Sequence, residues 1–298
     1  MNHKRAHIFL VTGILLSGLL FSCTEEEEII GDEPTSVALE NIKVSSFNVR
    51  FTNLDDGSNR WRKRRDDVVN FLKVENLDII GMQEVLNSQV LFLEENLGNY
   101  TRLGVGRDDG EQAGEYAPVF VKESRFRVLD SGTFWLSETP EVPSMGWDAV
   151  LNRICTYARL SDLKTGQEVY VFNTHFDQVG STARMQSASL ILDSIQSKLN
   201  QNIRVVLTGD LNVEPQSTVY HSFTEVLEDS FFADARFGPV GTFNSFNVGG
   251  NHNRRIDYIL FNGFRSIRYE TVSAVISGRY LSDHFPVIST LAYRPFNN

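Results

Sequence analysis

Arg204-Val205-Val206-Leu207-Thr208-Gly209-Asp210-Leu211-Asn212 is an apolar, β-rich run that stops in a glycine, a carboxylate and, two residues on, a carboxamide. Residues 203–208 predict a strand, and Gly209 predicts a turn at its end. Side chains at i and i+2 of an extended chain point to the same face, so Asp210 and Asn212 can address one substrate atom. Asp accepts a proton or binds a metal, while Asn holds an oxygen without adding charge. Taken alone, an Asp at a strand end reads first as a turn residue or helix cap. The rest of the chain decides between the readings.

Working outward, strand-like and helix-like segments alternate. Ile42–Val49 reads as a strand, Arg60–Val74 as a helix, Leu77–Met82 as a buried-type strand and Ser88–Leu97 as a second helix. Tyr116–Val121 and Phe126–Leu136 read as strands. Ile154–Leu160 and Glu168–Phe172 form a hairpin turned at Lys164-Thr165-Gly166. Ala183–Leu199 is a strong helical pattern, and Ile256–Phe261, Ile267–Ile276 and Val287–Leu291 close the series as strands. This alternation predicts an α/β protein whose sheets are covered by helices. The absence of a short repeat, or of a low-complexity linker after residue 42, predicts one domain.

Polar residues recur where the apolar strands end. Asn48 closes the first strand and Gln83-Glu84 the second, while Asn173-Thr174-His175 closes the hairpin. Asp257 lies in Arg255-Ile256-Asp257-Tyr258, and Ser282-Asp283-His284-Phe285-Pro286 precedes the last strand. Strand ends are rigid places from which to aim reacting groups, and this collection of Asn, Asp, Glu and His predicts a convergent, metal-binding site. Each residue has a plainer reading. Glu84 can cap the helix at 88–97, Asp257 can pair with Arg254 or Arg255, and His175 can be a satisfied core histidine. Six independent strand-end coincidences would be needed for all the plain readings to hold together.

In this order the set resembles the endonuclease/exonuclease/phosphatase superfamily of DNase I-like enzymes, over residues 42–294. The carrying motifs are Gly209-Asp210-Leu211-Asn212 and, some seventy residues later, Ser282-Asp283-His284-Phe285-Pro286-Val287. The resemblance implies a four-layer α/β sandwich, two packed mixed β-sheets flanked by helices, and hydrolysis of a phosphoester by an activated water. It implies Glu84 as the main ligand of Mg²⁺ (or Mn²⁺), a hard cation suited to oxygen donors, with Asp283 beside it and Asn48 orienting metal and phosphate. Asp210 would handle the attacking water and Asn212 a phosphate oxygen. Asp257 would fix His284 so that its protonated ring contacts phosphate. His175 would bind phosphate or protonate the leaving oxygen. Asn173, Arg153 and Tyr116 complete the expected substrate contacts, Arg offering a planar fork for phosphate.

Two features bear on which branch is resembled. Asn48-Val49-Arg50 places Arg where some abasic-site nucleases carry an acid, and no basic insertions for gripping duplex DNA are evident. Asn173-Thr174-His175-Phe176-Asp177 is closer to the deadenylase-like and phosphatase-like branches. The substrates implied are therefore phosphorylated small molecules, phospholipid head groups or nucleic acid. An extracellular nuclease and a non-catalytic surface-binding module are the alternatives. Pro140–Asn152, with Trp147, and Gly241–Asn253 are expected to wall the pocket, and Arg107-Asp108-Asp109-Gly110 reads as a solvated loop.

The N-terminus reads as an export signal. Lys4 and Arg5 precede an apolar stretch, Ile8–Phe21, shorter than the roughly 20 residues a bilayer span needs. Leu19-Leu20-Phe21-Ser22-Cys23 resembles a bacterial lipobox, which implies cleavage after residue 22 and lipidation of Cys23. Residues 23–41, with Glu25–Glu28, read as an acidic tether, and 42–298 as the domain. The expectation is a monomer held at the cell envelope by its N-terminal lipid alone. Removing residues 1–22 takes the formal net charge from −10 to −12, a poor charge for a general polyanion binder. Cys155 then has no disulfide partner, and its alternating context reads as core.

Overall fold

The computed structural model describes residues 40–295. The expected signal sequence, Cys23 and the expected tether up to residue 39 lie outside the described residues, whereas Asn41, expected as the tether's last residue, opens the first strand. Among the described residues fifteen strands are formed: β1 Asn41–Asn48, β2 Ile79–Gln83, β3 Val85–Leu86, β4 Tyr100–Leu103, β5 Glu115–Tyr116, β6 Val119–Lys122, β7 Phe126–Trp135, β8 Ile154–Asp162, β9 Glu168–His175, β10 Arg204–Asp210, β11 Glu228–Asp229, β12 Ala235–Phe237, β13 Asp257–Asn262, β14 Phe264–Thr271 and β15 Val287–Tyr293. The α-helices are α1 Trp61–Glu75, α2 Asn87–Asn96, α3 Ser181–Leu199 and α4 Thr218–Thr224. One mixed sheet runs β12-β14-β15-β1-β2-β6-β4 and the other β11-β13-β10-β9-β8-β7, with β3 and β5 paired separately.

Three apolar layers hold four layers of structure together. Ile42, Val44, Ile79 and Val121 of the first sheet meet Val169, Val171, Val206 and Ile259 of the second. On the outer face of the first sheet, Phe47 and Met82 pack with Val68, Leu72, Val90 and Leu93 of α1 and α2. On the outer face of the second, Val205 and Leu207 pack with Ile191 and Ile195 of α3 and Phe223 of α4. This is the expected DNase I-like sandwich. Among the described residues no helix is long and apolar enough to cross a membrane.

The strand rows explain where polarity collects. Alternate side chains share a face, so each inner-facing row can be read along its strand. In β1 it runs Ile42, Val44, Ser46, Asn48; in β2 Ile79, Gly81, Gln83; in β9 Val169, Val171, Asn173, His175; in β10 Val206, Thr208, Asp210. β1 is parallel to β2 and β9 to β10. The antiparallel β13 runs the other way, Phe261, Ile259, Asp257, and sets Asp257 opposite Asp210. Every row therefore turns from apolar to polar at the same end of the sandwich. The apolar part joins the sheets, and the polar part becomes a cleft.

Halfway along the rows the sheets approach so closely that only glycine fits. A Cβ at Gly81 would lie 2.1 Å from Thr208 Oγ1 and 2.6 Å from Asn173 Oδ1. Asn173 is fully buried here: its Oδ1 accepts from Gln83 Nε2 at 2.7 Å and Thr208 Oγ1 at 2.9 Å, and its Nδ2 donates to the carbonyls of Met82 and Pro118. The expected substrate contact from Asn173 is thus corrected. With both ends of its amide engaged, it fastens one sheet to the other below the cleft.

Element boundaries differ from the sequence reading where local chemistry was decisive. The strand expected at 116–121 is split into β5 and β6, because Pro118 has no N–H to donate. The strand expected to run to Ile276 ends at Thr271. Gly209 is not a turn, since β10 continues through it with Gly209 paired to Tyr258 and Thr174. α4 and β4 were not anticipated, both being too short to show a period.

Candidate active site

The polar row ends line a cleft of about 580 Å³, bordered by Arg50, Glu84, Glu115, Arg153, His175, Asp210, Asn212, Asp283 and His284 with Phe51, Leu151, Phe243 and Arg254. Four of its residues, Arg50, Glu84, Asn212 and Ser245, have φ of 61°, 61°, 50° and 52°, the first three just past strand ends. L-residues rarely adopt this left-handed conformation, and it concentrates at functional sites. It turns the chain sharply after β1, β2 and β10, so that residues just past the strand ends face the cleft.

Asn48 Nδ2 donates to Glu84 Oε1 and to Asp210 Oδ2, both at 3.0 Å, and thereby joins the two sheets at the cleft floor. Its Oδ1 accepts from the Arg50 backbone N–H. Asn48 thus shows nitrogen to the acids and orients Glu84 and Asp210. Asp210 Oδ1 accepts the Asn212 N–H at 3.0 Å. Burial, and the neighbouring Asp257 carboxylate, push the Asp210 carboxyl up from 3.8 to about 7. A group near 7 can take a proton from water at neutral pH.

His284 is fixed by Asp257. Its Nδ1 lies 2.9 Å from Asp257 Oδ2 and 3.7 Å from Asp210 Oδ2. Burial alone would lower the imidazole pKa, but the carboxylates of Asp257 and Asp210 overcome it and hold the ring well above its ordinary value. Asp257 does not pair with its sequence neighbours: Arg255 is taken by Asp229 at 2.7 Å, and Arg254 lies by Glu214. Glu84 does not cap α2 either; Gln89 does so, its Oε1 accepting from the Leu86 N–H.

His175 is not a satisfied core histidine. Its Nε2 lies 3.1 Å from Asn212 Nδ2, and its buried Nδ1 has no hydrogen-bond partner. Because Asn212 Nδ2 is a donor, His175 Nε2 accepts, which places the proton of the neutral ring on Nδ1. That nitrogen faces Glu115 Oε2 at 3.9 Å. Burial, then the positive charges of Arg153 and Arg107, hold the His175 pKa well below its ordinary value. The two histidines are driven apart, one cationic and one neutral, which is the pattern of an acid–base site.

Arg153 is buried, its Nε 3.3 Å from Asp177 and its Nη2 bonded to Gln178, while Nη1 has no partner. Nη1 is itself buried, so Arg153 lends the cleft its charge from beneath the surface. Tyr116 is not a substrate contact: its hydroxyl lies 3.1 Å from Asn87 Oδ1 and donates to the Glu111 carbonyl at 2.9 Å, and it does not line the cleft. The same strand delivers Glu115 instead, which the sequence reading missed because β5 is two residues long and carries no pattern. Arg107 is also corrected, since it is buried and ion-paired to Glu115 at 2.8 Å rather than part of a solvated loop. Phe243 and Ser245 of the 241–253 segment do wall the cleft, whereas from 140–152 Leu151 does so and Trp147 does not.

Two acidic groupings bear on a cation. Asp210, Asp257 and His284 are buried with one donor atom each within 4.8 Å of one another and could hold a metal. There the His284–Asp257 hydrogen bond already uses the ring nitrogen, and a cation would have to displace its proton. Glu84 and Asp283 offer oxygen alone, the donor set that suits Mg²⁺. Asp283 Oδ2 meets only the Arg50 guanidinium, at 3.7 Å. By donor chemistry the second grouping suits a hard divalent cation.

The profile of the Endonuclease/Exonuclease/phosphatase family matches residues 45–284. The structure is similar to the endonuclease/exonuclease/phosphatase from Bacteroides vulgatus, with 40% identity, 86% of this chain and 100% of that chain covered, and a TM-score of 0.82. It is also similar to the mannosyl-6-phosphatase of Bacteroides thetaiotaomicron, with 36% identity, coverage of 85% and 100%, and a TM-score of 0.80. An uncharacterized protein of Acanthamoeba polyphaga mimivirus is 28% identical over 169 residues, 52% of this chain and 60% of that protein. The chain spans no more than 60% of the length of the curated relatives it matches. On the family match, the two-sheet architecture and the likeness across whole solved chains, this chain belongs to the endonuclease/exonuclease/phosphatase family.

Proposed function

We propose that this protein is a divalent-metal-dependent phosphoester hydrolase acting on a soluble phosphomonoester, with a phosphorylated sugar as the first candidate. The observation that carries the reading is the opposed pair of histidines around a buried Asp210 whose carboxyl is raised to about 7. The 36% identity to a mannosyl-6-phosphatase, over all of that chain, supports the phosphomonoester choice.

Glu84 and Asp283 would hold Mg²⁺ or Mn²⁺. When bound, such an ion neutralises phosphate charge and favours the attacking water. The rest is done by the chain's own groups. Asp210, aligned by Asn48 and the Asn212 N–H, accepts the proton of the attacking water as its oxygen bonds to phosphorus; the ester P–O bond breaks and the departing sugar oxygen is protonated from solvent. His284, kept cationic by Asp257, donates its free ring N–H to a phosphate oxygen, where charge builds in the transition state. Arg153, buried at the cleft wall, adds a fixed positive charge beside the phosphate. His175 and Asn212 complete the enclosure of the phosphate, with the His175 ring aligned by Asn212 and Glu115. We also propose a monomer, tethered to the cell envelope through lipidated Cys23.

The test is a metal-supplemented panel of sugar phosphates, inositol phosphates, nucleotides, bis-p-nitrophenyl phosphate, plasmid DNA and RNA, run with and without EDTA. Fastest turnover on a phosphomonoester, abolished by EDTA, is the expected result. Preferential digestion of DNA or RNA would replace the reading with a nuclease, and no turnover together with no cation binding would leave a non-catalytic module.

A further inference from the structure

Arg50 stands where its charge has a second consequence. Its backbone is held left-handed, φ 61°, by two hydrogen bonds: its N–H donates to Asn48 Oδ1 and its carbonyl accepts from Gln89 Nε2, each at 3.0 Å. That placement carries the guanidinium over the Phe51 ring, 4.4 Å from its centroid, and into the acidic side of the cleft. Three carboxylates surround it. Asp56 is 3.4 Å from both Nε and Nη2, Glu84 is 3.7 Å from Nη1 and Asp283 is 3.7 Å from Nε. None of these contacts is a short charge-assisted hydrogen bond, which would fall near 2.7–2.9 Å. Asp56 holds the guanidinium through two long hydrogen bonds, and Glu84 and Asp283 share its charge without a hydrogen bond.

We propose that Arg50 is the built-in counter-ion of the Glu84–Asp283 pocket, which a divalent cation displaces on binding and which then keeps Asp56 as its partner. The inference rests on the reading that Glu84 and Asp283 hold the cation. Two buried or nearly buried carboxylates facing one cleft repel each other, and a positive charge between them keeps the empty pocket folded. A metal ion, with oxygen contacts near 2.1 Å, interacts far more strongly than a guanidinium at 3.7 Å. Displacement is therefore favourable, but the apparent affinity is reduced by whatever the arginine contributed. Asp56 makes it cheap, because it lies on the 3-10 turn Leu54–Asn59, outside the metal pocket, and retains the guanidinium nearby.

The test is direct cation binding by the metal-free protein, followed by titration calorimetry with Mn²⁺ and no substrate, with urea midpoints measured on every variant to establish folding. Arg50→Gln, which removes the competing charge, is expected to bind Mn²⁺ roughly tenfold more tightly, an ordinary size for the loss of partly exposed ion pairs. Asp56→Asn, which leaves Glu84 and Asp283 as the carboxylates nearest Arg50, is expected to bind it more weakly. Unchanged or weaker Mn²⁺ binding by folded Arg50→Gln would overturn the proposal. A wild-type protein that binds no Mn²⁺, or Glu84→Gln binding as well as wild type, would instead remove the cation reading on which it rests.

Discussion

At Asp210 one side chain carries both a chemical role and a cost to folding. Its carboxyl is raised by burial and by Asp257, so folding favours the protonated form. The stability it contributes is fully present below its ordinary 3.8 and is lost as pH rises through about 7. His284 acts in the same sense, contributing stability below its ordinary 6.5 that is lost only as pH climbs through its raised value. The Asp210 contribution is therefore lost between pH 4 and 7, while His175, held neutral in the fold, contributes the opposite slope up to its ordinary 6.5. The difference between wild-type and Asp210→Asn urea midpoints across pH 4–8 isolates the Asp210 part: the stability of wild type relative to the variant should fall over pH 4–7. For the reaction the sign reverses, because only ionised Asp210 accepts a proton. Activity should rise with pH along an acid limb, and Asp210→Asn should lose about 10²–10⁴-fold in kcat. His284→Ala should unfold more easily by about 3–5 kcal/mol, since it leaves Asp257 and Asp210 buried without their cation.

At the scale of the element, the strand row is the unit that builds the site. Its inner-facing side chains change from Val and Ile to Thr, Asn and Asp over three or four positions, and the neighbouring rows change in step because parallel pairing keeps them in register. Gly81 is the pivot of this arrangement, since Thr208 and Asn173 occupy the space a side chain would need. Gly81→Ala should wedge β2 away from β9 and β10, breaking the Gln83–Asn173–Thr208 hydrogen bonds. A loss of about 1–3 kcal/mol is expected, together with a fall in kcat, although Gly81 lies below the cleft. Wild-type stability and turnover in this variant would show that the sheets can separate without moving Asn48 from Asp210.

At the scale of the whole molecule, β1 connects the two ends of the sandwich. It starts at Asn41, just after the Glu40 carbonyl accepts the Tyr293 N–H, and ends at Asn48 on the cleft floor, so the chain enters the described fold at the end away from the site. If Cys23 is the lipid anchor we propose, Cys23→Ala should shift the expressed protein from the membrane fraction to the soluble one. Its kcat on a soluble phosphoester should match that of the full chain. Retention in the membrane fraction after that substitution would sink the anchor.

The sequence by itself determined the alternation of strands and helices, the order of the polar strand ends and the motifs around Asp210 and His284. These are legible because a strand's period and a short motif are local properties. Asn173, Tyr116 and Asn48 show the limit. Each was a polar residue at the right place in the chain, yet whether it faces substrate depends on which groups of another strand reach it first. Asn173 is spent on Gln83, Thr208 and two carbonyls, Tyr116 on Asn87 and Glu111, and the Asn48 amide on orienting acids from both sheets. Glu115 and the caging of Arg50 were invisible for the same reason, since the first lies on a two-residue strand and the second takes meaning only from Asp56, Glu84 and Asp283 around it. Sequence spacing fixes what a side chain is and which way its strand turns it. Only the packing of two sheets decides what it meets there.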